Sequence, residues 1–341
     1  MREKGHSLNL SLLRILAMLM VLSIHAGLSA HWTRFTYSGK YGVQLFFILS
    51  GYLISISLER TDSVKEFYRK RIGRIVPEYY MALILYWFID FWNYTKDRGV
   101  AYALLGWDAP VGIRYILRYF SFFQMVLPSD NYALWNNRYA WWTMSSFMVF
   151  YLLAPLFYKY LKGFFRSFFA LVVLMAGTPI ARAGLLSLLQ PFHFPMQAEI
   201  EGYCEGMPLM QLYCFFMGIV VYWAVRQGKE LIYAVFLLLC FMVFNGETYQ
   251  FEICLALFVL TVIKAKEIQI PAFMHKFINF MARGSFCVYL IHGGIMSMIS
   301  KWLRPSGAID FCILLVCVLV VCYLYYAVYE KTCQYLKGRG K

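Results

Sequence analysis

The sequence predicts an all-α integral membrane protein, a polytopic bundle of about ten transmembrane helices, and three observations predict it. Hydrophobic residues make up 61% of the 341-residue chain and aromatic residues 19%. Charged residues are only 15%, where a soluble domain carries roughly a quarter. Apolar stretches approaching the roughly 20 residues that cross about 30 Å of hydrocarbon recur along the whole length, so that 1–341 reads as a single transmembrane domain.

The spans are expected at about Leu8–Leu28, Val43–Leu58, Ile75–Phe91, Trp141–Leu161, Phe165–Ile180, Met207–Val225, Leu231–Phe244, Phe251–Ile263, Phe286–Leu303 and Ile309–Val328. The first follows Met1, Arg2, Glu3 and Lys4 like a signal peptide, but Arg14 within its apolar run argues against cleavage. The second is built by the run Gly42–Ile54, in which Ser50 and Gly51 are small enough for a close helix contact. The third follows the segment Phe67–Pro77, read as a basic loop, with Pro77 fitting the first turn of the next helix. The seventh and eighth are short, and a re-entrant pair is the alternative to two crossings. Outside segments run from Asn93 to Ala140, as interfacial helix and loop, and from Ala181 to Gly206, with Glu199, Glu201 and Glu205.

With the N-terminus inside, about 21 Lys and Arg fall in cytoplasmic segments and about 10 outside, as the positive-inside rule asks. This predicts a multi-pass protein of the inner (plasma) membrane with both termini cytoplasmic. The net charge of +14 therefore reflects topology and contact with the lipid bilayer, and no nucleic-acid partner is expected. The nine cysteines have neither CxxC nor CxxH spacing and mostly sit in apolar runs, which points away from a disulfide framework and from a metal site.

Arg14 and His25 lie eleven residues apart, roughly three turns plus 20°, and so share one face of the first span about 16 Å apart. Ionisable groups at that depth call for pairing or a watery cavity. The plainer alternative has Arg14 snorkelling to the headgroups and His25 capping the outer end. In the second basic feature, Arg69, Lys70, Arg71 and Arg74, the spacing of Arg71 to Arg74 places two guanidinium forks on one helix face, where they could grip phosphate oxygens. Contact with anionic lipid is the plainer reading there. Mid-span His292, in the ninth span, needs a partner or a cavity, structural or catalytic. Ser50 and Glu78 are further candidates by residue type. Two rival readings are a transporter, against which the absence of repeated halves speaks, and a noncatalytic membrane scaffold.

At these residues the sequence resembles the acyltransferase 3 family of membrane enzymes, which acylate sugars and other hydroxyl acceptors. The resemblance rests on Arg14 and His25, on Gly42–Ile54, on FYRKRIGRIVPEYY (Phe67–Tyr80), on FYLLAPL (Phe150–Leu156) and on GSFCVYLIHG (Gly284–Gly293). It implies a ten-helix core with His25 as general base, Arg14 holding or orienting the acyl donor, and Arg71 and Arg74 meeting coenzyme A phosphates, flanked by Arg69 and Lys70. It also implies acetyl-CoA or another acyl-CoA as cosubstrate, no tightly bound cofactor, and a carbohydrate or glycolipid acceptor. Many members carry an acidic residue where Phe147 stands, so no base-orienting carboxylate carries over at that position; Glu78, Glu199, Glu201 and Glu205 are substitutes by type alone.

Overall fold

The computed structural model describes residues 7–26, 38–106, 109, 111–126, 141–189, 197–244, 246–305 and 307–339. Among them all regular structure is helical. In chain order the α-helices are α1 (Leu8–His25), α2 (Gly42–Glu59, after a 3-10 turn at Ser38–Tyr41), α3 (Val64–Arg98), α4 (Val100–Leu105) and α5 (Ile113–Phe120). They continue with α6 (Trp142–Tyr160), α7 (Phe164–Leu189), α8 (Gln197–Gly206), α9 (Pro208–Gln227), α10 (Glu230–Val243), α11 (Glu247–Lys264), α12 (Ala272–Leu303) and α13 (Ala308–Arg339). Leu28, Asp108 and the stretches 127–140 and 190–196 of the two outside segments lie outside the described residues.

Among the described residues, six helical stretches are long and apolar enough to cross a membrane: Leu8–His25, Gly39–Glu59, Phe164–Leu189, Ile200–Gln227, Ala272–Leu303 and Ala308–Tyr335. The other four expected spans are helical too, in α3, α6, α10 and α11. Three of these, α3, α10 and α11, are less clearly spans for physical reasons. α10 has 14 residues, about 21 Å of helix against about 30 Å of hydrocarbon, while Glu78 and Asp90 interrupt the apolar run of α3 and Glu252 that of α11.

The segment Phe67–Pro77, expected as a loop, is helix. Ser63 caps α3 by accepting the Glu66 amide at 3.2 Å, and Glu66 pairs with Lys70 one turn on at 2.6 Å, so the helix starts ahead of the basic cluster. Pro77 consequently lies inside α3, not in a first turn. Its missing N–H deprives the Gly73 carbonyl of a partner, and Gly73 is exposed, where water can replace that bond.

The chain forms two compact units, Met1–Phe46 with Thr261–Lys341, and Phe47–Leu260. In the first, α1 packs on α12 and α12 on α13. The start of α1, which has orphan amides like any helix, is tied down by Glu267, whose Oε1 accepts the Leu8 amide at 2.9 Å. Asn9 donates to the carbonyls of Val262 and Ala265, and Ser11 donates to Asn279 at 3.0 Å. Gly284 lets α12 approach α13: a Cβ there would meet Tyr326 at 2.7 Å and Tyr323 at 2.8 Å.

The second unit is built around α9, which is buried on every side from Met210 to Ala224. Such a helix must be apolar all round, and LMQLYCFFMGIVVYWAV is nearly so. Pro208 opens it without loss, since a first-turn amide has no partner anyway. Gly228 closes it in the left-handed conformation at φ 65°. α2 crosses α9 at Gly51 and Gly218, each backed against the other helix's backbone: a Cβ on Gly51 would strike the Phe215 carbonyl, and one on Gly218 the Ile48 carbonyl.

Candidate functional site

α1 carries its candidates on one stripe by helical periodicity. Arg14 is half-buried mid-helix, and His25 ends the helix, half-buried as well. The His25 ring lies against His292 of α12, with centroids 5.0 Å apart and planes inclined by 59°. His292 is fully buried. Its Nδ1 sits 2.6 Å from the Tyr289 carbonyl oxygen one turn earlier. A carbonyl only accepts, so Nδ1 carries the proton and Nε2 of the neutral ring is an acceptor. That Nε2 has no hydrogen-bond partner among the described residues. Two histidines 267 positions apart in the chain are thus brought together.

The basic cluster lies in the second unit, on the first turns of α3. Only Arg71 turns inward. Its Nη2 donates to the Leu53 carbonyl at 3.4 Å, and its guanidinium lies 5.7 Å from the Phe67 ring and 5.9 Å from the Tyr151 ring. Burial lowers its pKa from the ordinary value, Tyr151 opposes this, and the positive charge of Arg74 adds to the lowering. An anionic ligand would reverse that penalty. Arg69, Lys70 and Arg74 are exposed, with Lys70 engaged by Glu66. Tyr68 fastens this helix to α6 by donating to the Leu152 carbonyl at 2.7 Å.

Ser50 is half-buried beside Gly51, and what the structure adds there is the helix crossing at Gly51. Glu78 is half-buried one turn after Arg74, its Oε2 without a hydrogen-bond partner among the described residues. Glu205 is spoken for by Arg182 at 2.8 Å, Glu201 is exposed, and the side chain of Glu199 lies outside the described residues. Phe147 packs among rings, 5.0 Å from Phe47, 5.8 Å from Phe215 and 5.9 Å from Tyr151.

One buried carboxylate was not singled out from sequence. Glu252 of α11 is wholly enclosed and accepts the Tyr213 hydroxyl of α9 on Oε2. Its signal was an acidic residue inside an expected span, which is uncommon without a reason.

A family model described as an acyltransferase domain, acyltransferase 3, matches residues 7–327. The chain belongs to the acyltransferase 3 family. That match runs through both compact units and includes Arg14, His25, Ser50, the α3 cluster and His292. Among curated proteins, the peptidoglycan O-acetyltransferase OatA of Listeria monocytogenes serovar 1/2a is 28% identical over 151 residues, 42% of this chain and 23% of that protein. YrhL of Bacillus subtilis (strain 168), described as a candidate peptidoglycan O-acetyltransferase, is 27% identical over 153 residues, 42% of this chain and 22% of that protein. The chain thus spans less than a quarter of the length of these relatives. No solved structure matches it. An imidazole such as the half-buried ring at the end of α1 has chemistry suited to proton transfer near neutral pH.

Proposed function

We propose that this chain transfers an acetyl group, or another short acyl group, from its coenzyme A thioester to a hydroxyl of a cell-envelope glycan, with peptidoglycan the first acceptor to try. The carrying observation is His25: half-exposed, at the end of a helix, in ring contact with a second histidine, inside the family match. The acceptor named for the relatives supports the glycan.

In the reaction, the acceptor hydroxyl gives its proton to the unprotonated nitrogen of His25 as its oxygen attacks the thioester carbonyl. The C–S bond then breaks, the acyl group stays on the sugar oxygen, and the coenzyme A thiolate takes up the proton that His25 releases. Arg14 holds or orients the donor's acyl end. Arg71 and Arg74, with Arg69 and Lys70 around them, meet its phosphates. Ten spans in one domain over 1–341, both termini cytoplasmic in the plasma membrane, would let a cytosolic donor supply an acceptor reached through the membrane core or from outside. Lipid, acyl-CoA and glycan are the partners, and no cofactor stays bound between turnovers.

The test is release of free coenzyme A by the purified, detergent-solubilised chain given acetyl-CoA and purified peptidoglycan, with His25→Ala alongside. Release that needs both glycan and His25 supports the reading. Full turnover by His25→Ala sinks the base assignment, and vesicle flux of glycan precursor without any acyl donor would favour a transporter instead.

A further inference from the structure

We propose that His292 is a positioning residue for His25, supplying from α12 the hydrogen-bond acceptor that a carboxylate would otherwise provide to a catalytic histidine. The inference rests on the reading of His25 as general base. Three observations in the first unit carry it. His292 is fully buried, so its orientation is set by packing. Its Nδ1 proton is committed to the Tyr289 carbonyl, which fixes the tautomer and makes Nε2 an acceptor. That Nε2 has no partner among the described residues, although leaving a buried polar atom so is costly.

The distance suits the role. An imidazole nitrogen sits about 1.1 Å from its ring centre, so centroids 5.0 Å apart leave roughly 2.8 Å between facing nitrogens, the length of a hydrogen bond. The His25 ring is half-exposed, so that it can turn one nitrogen toward Nε2 of His292 and complete the bond. Neutral His25 has one N–H and one lone pair. With the N–H donated to Nε2 of His292, the lone pair is left for the acceptor hydroxyl. When that hydroxyl proton arrives on His25, both nitrogens carry protons, the first still held by His292; on its release to the thiolate the neutral pair is restored, and no proton is lost or gained.

Three substitutions separate positioning from packing. The end of a glutamine side chain reaches where Nε2 stands, whereas asparagine reaches only to the level of Nδ1, and leucine supplies no acceptor. In the full-length chain with acetyl-CoA and peptidoglycan, His292→Asn and His292→Leu should lower kcat about 10- to 100-fold, as loss of orienting partners does elsewhere, with KM for acetyl-CoA within about twofold. His292→Gln should recover most of that loss. A readout that needs no acceptor is carbethoxylation of His25 by diethylpyrocarbonate, followed by peptide mass spectrometry. It should slow severalfold in the Asn and Leu variants and recover in Gln.

Equal behaviour of the Asn and Gln variants in both measurements overturns the proposal, as does wild-type turnover by His292→Leu. If His25→Ala is inactive while His292→Asn matches wild type, only this inference fails. If His25→Ala is fully active, the base reading fails with it.

Discussion

The crossing of α2 and α9 predicts a large penalty for the smallest possible side chain. In Gly51→Ala the new methyl falls on the Phe215 carbonyl, with the Ile219 amide nitrogen only 3.1 Å away. In Gly218→Ala it falls on the Ile48 carbonyl, with the Tyr52 amide nitrogen 2.8 Å away. Both obstacles are backbone, so no rotamer change relieves them and the helices must separate. Overpacking of this kind costs about 1–3 kcal/mol, and the rigidity of the obstacle puts these sites at the upper end. The exposed helical Gly73 has nothing within 4 Å of its would-be Cβ, so Gly73→Ala should instead add about 0.5–1 kcal/mol through helix propensity. Thermal unfolding in one detergent reads all three. At roughly 2–4 °C per kcal/mol in chains of 150–250 residues, Gly51→Ala and Gly218→Ala should each lower Tm by several degrees and Gly73→Ala should raise it slightly. The double variant should lose less than the sum, because one separation of the helices accommodates both methyls. A Tm for Gly51→Ala at or above wild type would refute the crossing.

The arginines of α3 should part company under mutation. Arg74→Ala should raise KM for acetyl-CoA about tenfold with Tm unchanged, whereas Arg71→Ala should also lower Tm, because Arg71 is packed between Phe67 and Tyr151 and bonded to Leu53; Arg71→Lys should not restore what the planar fork supplied. Tyr213→Phe removes the hydroxyl bonded to buried Glu252 and should cost about 1–3 kcal/mol, read as a drop in Tm with little change in KM. At the start of α3, the hydrogen bond and charge of Lys70 lower the Glu66 pKa from its ordinary 4.5. A lowered carboxylate stabilises the fold above its unfolded value and loses that contribution as pH falls through the folded one. Protection of the α3 amides against hydrogen exchange should therefore weaken below about pH 4.5, more so in low salt than in high salt, where the exposed pair is already screened.

Periodicity along the chain made the helices legible, because an apolar run of the right length is a property of neighbouring residues. The shared stripe of Arg14 and His25 was legible for the same reason. What the pattern could not give is which helix lies beside which: nothing in the run YLIHG says that His292 meets His25, and nothing in α11 says that Glu252 meets Tyr213. The basic segment resembles a loop in sequence because its charge density masks the capping signal, Ser63 followed by Glu66, and because Pro77 suggests a beginning more often than an interior. The burial of α9 on every side likewise needed the packing, since lipid and protein select the same apolar residues.

The rings around Phe147 bear on what that position can hold. Phe47 and Phe150 both pack on Phe215, with ring centroids at 4.5 Å and, stacked, at 3.9 Å, and Phe147 closes the group at 7% exposure. Exchanging Phe147 for glutamate would set a carboxylate among these rings, at a cost of several kcal/mol. An acid at this position would need polar neighbours in place of the rings that now surround it, so that such an exchange takes several simultaneous changes.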